Sequence, residues 1–144
     1  MRSLFSLLLI MGLFSCDTED FKLSIYNQSS DTVFYNVKSD TIIRNMDKPN
    51  YFKLGNDSPY AKEGCLIPGE KEKTSVINTS WERWINKIPD KKVKIFFYKK
   101  TLLNIVKWDD IIKNQYYSKR LEFTVEELEE LDWIVVYSDS IHLN

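Results

Sequence analysis

The sequence predicts a mainly β domain: a small antiparallel β-sandwich or curved sheet of six to eight strands with two or three short helices. An α+β arrangement is the alternative. Three observations lead there. Apolar and polar residues alternate over several short segments, most clearly where Val93, Ile95 and Phe97 oppose Lys94, Phe96 and Tyr98. Helical spacing is confined to brief stretches, of which Trp81, Trp84, Ile85 and Ile88 form the clearest stripe. Turn signals separate these segments along the chain, and there is no internal repeat.

The elements follow in order. Residues 21–26 read as a half-buried strand with Phe21, Leu23 and Ile25 inward. Residues 27–31 carry turn chemistry, and 32–38 form a second strand with Val33, Tyr35 and Val37 on one face, so the domain opens on a β-hairpin. Residues 41–43 and 51–54 are short strand candidates between loops. Pro68-Gly69 favours a type II turn, because glycine accepts the positive φ that turn requires, and 74–77 continues as strand. Ser80 caps the Trp81–Ile88 stripe and Pro89 ends it.

Lys91, Lys92, Lys99 and Lys100 flank the 91–100 strand as guards against edge-to-edge pairing, and 102–106 reads as a hairpin partner. Trp108, Ile111 and Ile112 mark one or two helical turns whose acidic start is Asp109-Asp110. A strand over 116–123 precedes a capping box at Thr124 and Glu127. Val125, Leu128 and Leu131 then face inward, with Glu126, Glu127, Glu129 and Glu130 in water. Residues 133–137 form a near-continuous apolar strand, expected at the sheet centre.

The N-terminus carries a different signal. Arg2 precedes an apolar run from Leu4 to Phe14, the layout of a secretory leader and only about half the roughly 20 residues of a spanning helix. Leu13-Phe14-Ser15-Cys16 resembles the lipobox of bacterial lipoproteins, in which a small residue precedes the cysteine that is cleaved and acylated. Phe14 is larger than the residues usual there. The resemblance implies a signal peptide over 1–15 and lipidation at Cys16, with 16–20 as an acidic tether, 21–137 as one domain and 138–144 as a tail. Several acyl chains, at about 0.8 kcal/mol per buried methylene, hold a protein firmly to a bilayer. Asp17, Glu19 and Asp20 resemble the surface-export signal of Bacteroidetes lipoproteins, which implies outer-membrane and cell-surface placement; a periplasm-facing orientation is the competing reading.

Composition narrows the function classes. Without residues 1–15 the chain has 129 residues, one domain's worth, and its net charge moves from −1 to −2 with the loss of Arg2. Such a balance argues against nucleic acid as a partner, because phosphate binding needs a concentrated basic face. With Cys16 acylated, Cys65 has no intrachain partner and is expected to be buried, with pairing to another chain as the alternative. The single histidine, His142, supports neither a catalytic thiol nor a metal centre, so no cofactor and no metal are expected.

Aromatic residues make up 14% of the chain, which makes stacking on a ligand worth weighing for Trp81, Trp84, Tyr116 and Tyr117. The helical stripe favours a core role for the tryptophans. Asp109 and Asp110 invite a hydrolase or cation-site reading, but adjacent helical positions point about 100° apart and suit neither. Residues 108–111, 119–124 and 127–133 resemble the C-terminal half of small Bacteroidetes lipoproteins of uncharacterised role, which implies an envelope location and no activity. Asp31-Thr32-Val33, Asp40-Thr41-Ile42 and Asp139-Ser140-Ile141 resemble the O-glycosylation signal of that phylum. The expected function is a non-catalytic binding or docking lipoprotein, reaching a membrane through Cys16 and an envelope protein or glycan through its loops, such as 44–50 and 55–64. Alternatives are a glycan-binding accessory lipoprotein, a toxin-neutralising lipoprotein and a hydrolase.

Overall fold

The computed structural model describes residues 19–49 and 64–139. The proposed leader, Cys16, the 51–54 strand candidate, most of the 55–64 loop and the end of the tail lie outside the described residues. The described part is mainly β. It contains β1 (Glu19–Asp20), β2 (Ser24–Asn27), β3 (Val33–Lys38), β4 (Cys65–Leu66), β5 (Lys71–Lys73), β6 (Val76–Ile77), β7 (Val93–Lys99), β8 (Lys119–Phe123) and β9 (Ile134–Tyr137). Between them lie α1 (Trp81–Asn86), α2 (Lys100–Ile105), α3 (Trp108–Asn114) and α4 (Val125–Glu130), with a 3₁₀ turn at Asn45–Asp47. The described residues thus hold one strand and one helix more than the expected upper counts.

The strands form a four-stranded sheet in the order β4-β3-β7-β8, a three-stranded sheet β5-β2-β9 and the two-stranded ribbon β1-β6. The two larger sheets share one core. Leu23 and Ile25 of β2 and Val135 and Tyr137 of β9 join Val33, Tyr35, Val93, Ile95 and Phe97 there, and α1 and α4 add Trp81, Ile85, Val125 and Leu128. A second core lies on the other face of the four-stranded sheet, where Phe34, Phe96 and Tyr98 meet Ile43, Leu103, Trp108 and Ile111.

Several expectations change in this arrangement. There is no opening hairpin: β2 pairs with β5 and β9, and β3 pairs with β4 and β7. The cause is Asn27, fully buried, whose Nδ2 donates to the carbonyls of Asp31 and Leu66 at 2.9 and 3.0 Å while its Oδ1 accepts from Ser29 N and Oγ. That network satisfies Ser29 N and the Asp31 carbonyl within a crossover between sheets. The β2–β9 pair is parallel, so the fold is not wholly antiparallel, and β9 stands at a sheet edge, not the centre.

β7 is flanked by β3 and β8, so its lysines do not guard an edge. Residues 102–106 fall largely in α2, which sends Leu103 into the second core; no strand forms there. Residues 41–43 are not strand, although Ile43 is buried. Phe21 and Leu131 point into water rather than inward, and Cys65 is half-buried.

Other local readings hold. Ser80 Oγ accepts from Arg83 N, and Thr124 and Glu127 close their capping box from both sides. Gly69 takes φ +81° in the Pro68-Gly69 turn, where Glu70 N donates to the Ile67 carbonyl. Asp109 and Asp110 lie in the first turn of α3, both exposed.

Candidate functional site

α1 positions the tryptophans. Its N-terminus is capped twice, by Ser80 and by Asp20, whose Oδ2 accepts from Trp81 N at 2.9 Å. Asp20 belongs to β1, so the capping carboxylate ties the ribbon to the helix. The i, i+3 spacing then puts Trp81 and Trp84 on one face, ring centroids 5.5 Å apart with planes at 87°. This edge-to-face packing suits two π-systems joining a core.

Both rings line a cavity of about 730 Å³ that is also bordered by Tyr35, Glu72, Phe21 and Ile77. Trp81 is 1% exposed and its indole N–H has no hydrogen-bond acceptor; Trp84 is half-buried. Tyr35 Oη donates to Glu72 Oε2 at 3.0 Å across the same space. Two of the four sequence-selected rings therefore meet at one cavity, but set at right angles they do not offer a flat stacking platform.

Tyr116 and Tyr117 lie elsewhere. Both are exposed; Tyr117 meets the edge of Phe96 at 5.4 Å, and the Arg120 guanidinium sits 5.7 Å from the Tyr117 ring and 5.9 Å from that of Phe96. The arrangement places Arg120 as a cation near two ring faces on the outer side of the four-stranded sheet.

The carboxylates are more scattered. Glu72 is the one carboxylate among the described residues lining the tryptophan cavity. A second cavity, about 600 Å³, brings Asp40 and Asp90 together beside Trp84 and Lys94. Each has its own cation. Partial burial pushes Asp40 upward, but hydrogen bonds from Arg44 and the Ile42 amide outweigh it and hold its carboxyl below the usual value. The Lys94 ammonium, 2.6 Å from Asp90 Oδ1, draws Asp90 down as well. Two carboxylates held ionised lack the divergent protonation that acid–base pairs use. Asp109 borders a third cavity of about 510 Å³, where it is the one carboxylate among the described lining residues. Among the described residues no group of three or more His, Cys, Asp or Glu is placed to hold a metal ion, and no helix is long and apolar enough to cross a membrane.

Sequence reasoning missed Phe21, Ile77 and the Tyr35–Glu72 pair as neighbours of the tryptophans. Alternation in 21–26 pointed Phe21 inward, and no local pattern links Tyr35 to a residue 37 positions away. No family model matches the chain, and no curated protein and no solved structure matches it either.

Proposed function

We propose that this chain is a lipid-anchored lipoprotein of the cell envelope, acylated at Cys16, whose β body is a non-catalytic binding or docking module. The observation that carries the reading is the Leu13-Phe14-Ser15-Cys16 sequence after a charged and then apolar leader. It is supported by β1 at Glu19–Asp20, three residues past Cys16 in sequence and so near it that the body stays close to whatever the cysteine is attached to. The outer membrane is the proposed location, with surface display the favoured orientation.

Mass spectrometry of the native product tests it. A mature chain beginning at an acylated Cys16 is the expected result; a retained leader or any other start overturns it. Protease shaving of intact cells then reads the orientation, since a surface domain is lost before the outer membrane is broken. The second reading, glycan binding, has the Trp81–Trp84 cavity in its favour, because its wall mixes aromatic rings with polar groups. Titration of the domain with envelope and host glycans, comparing Trp84→Ala with the parent, should show heat only for the parent if that reading holds.

A further inference from the structure

We infer that the β1–β6 ribbon is the face on which the domain lies against the bilayer, with Phe21 and Ile77 immersed among the headgroups and upper acyl chains. The inference rests on acylation at Cys16. β1 and β6 pair as Glu19 with Ile77 and Asp20 with Val76. Side chains alternate across such a ribbon, so Glu19, Phe21, Ser75 and Ile77 share one face. The contact of Ser75 Oγ with Glu19 Oε2 and the shared lining of one cavity by Phe21 and Ile77 agree with that placement. Phe21 is 50% and Ile77 61% exposed, an apolar pair left in water at one ribbon.

Chain length selects the occupant. Glu19 is three residues past Cys16, and three residues span at most about 10 Å even fully extended. The ribbon must therefore sit within about that distance of the acyl chains, near the depth at which an interfacial apolar side chain is buried.

Glu19, exposed beside Ser75, puts one negative charge on this face, while the neighbouring carboxylates are engaged by partners. Asp20 is engaged by the Lys22 and Trp81 amides, and Glu82 by the Lys22 ammonium. Lys73, exposed and bordering the same cavity as Phe21 and Ile77, supplies a cation for lipid phosphate. The tether thus holds a preformed apolar face at the membrane, and the opposite side of the domain is presented to partners.

The test uses the full lipidated protein in vesicles of phosphatidylethanolamine and phosphatidylglycerol. In a Cys65→Ser background, nitroxide labels are attached at Ile77→Cys, Phe21→Cys and, as the control, Ile105→Cys on α2, where the native side chain is 82% exposed. Labels at 77 and 21 are expected to collide several-fold more with oxygen than with a water-soluble nickel chelate, and the label at 105 to show the reverse. Equal chelate access at all three positions overturns the docking. Mass spectrometry of the same sample separates the two failures. An acylated Cys16 with water-exposed labels at 77 and 21 removes the docking alone, and an unacylated chain removes both readings.

Discussion

On one face of β7, Val93, Ile95 and Phe97 enter a core built almost wholly from hydrocarbon. On the other face of the same strand, Lys94, Phe96 and Tyr98 enter a layer that mixes rings with buried polar groups. Lys94 is 2% exposed and stands directly across from Lys38, itself buried, on β3. Neither ammonium is stranded. Lys94 Nζ reaches Asp90 and the carbonyl of Lys92, and Lys38 Nζ reaches Asp47 and the carbonyl of Ile42. Toward the middle of the face, the Asn36 amide oxygen and the Tyr98 hydroxyl have no hydrogen-bond partner. The first face gains its stability from burial, which is non-directional; the second depends on individual polar partners, each of which is costly to lose.

The largest effect should come from the first face. Phe97→Ala removes a ring stacked 4.7 Å from Tyr137 between the sheets, and chemical denaturation should show a loss of about 3–5 kcal/mol. A loss well below that range would mean the inter-sheet core can collapse around the gap, and the contrast between faces would shrink.

The next effect belongs to the edge of the second face. Gln115 holds φ 54° and bonds both backbone groups of Ile43, at 2.7 and 3.1 Å, as a neighbouring strand would. Gln115→Ala should cost about 1–2 kcal/mol, with faster amide exchange at residues 42–44, because the clamp is lost while the left-handed backbone remains strained. Within the face, Asp90→Asn should lower the unfolding midpoint by leaving the Lys94 charge less well compensated. Adding Lys94→Met should restore it, because a buried ion pair is often matched by an apolar replacement. Two additive losses in that cycle would show that Lys94 does not depend on Asp90.

Tyr98→Phe is a smaller test: stability should stay within about 1 kcal/mol of the parent and move upward, since the change deletes a buried hydroxyl without a partner. Burial, with a lesser push from the Asp47 charge, holds that hydroxyl far above its usual ionisation range, so it stays protonated at any ordinary pH. Mild acid should give the smallest effect. Asp40 and Asp90 sit below their unfolded value of 3.8, so their contribution is complete above that value and is lost as pH falls through the folded one. Amide exchange followed below about pH 4 should show the Lys94 face loosening before the inter-sheet core.

The same contrast explains what could be read in advance. Val93, Ile95 and Phe97 announced their face by alternation alone, and the caps at Ser80 and Thr124 were visible because capping is local chemistry. Alternation put Lys94 on the face of Phe96 and Tyr98 but could not show its burial, which depends on Asp90 folding back within the same stretch. Residues 102–106 read as a hairpin partner because a short apolar run does not reveal its period, and packing of Leu103 into the second core goes with a helix instead. The crossover at Asn27 looked like a turn because its decisive acceptor, the Leu66 carbonyl, is 39 residues distant. The helical stripe showed that Trp81 and Trp84 share a face, and they pack in and against the core, yet the cavity beside them depends on β5 and β6 meeting β3, which no sequence window contains.

The parallel register of Ser24–Asn27 with Ile134–Tyr137 joins nearly the first described strand to the last. A ribosome must therefore have released the polypeptide through Tyr137 before that sheet can close. Until then the early strand can recruit only Lys71–Lys73, and the three-stranded sheet stays incomplete. A stop codon placed just before Ile134 would leave Leu23 and Ile25 without one of their two flanking strands, and proteolytic turnover would rise.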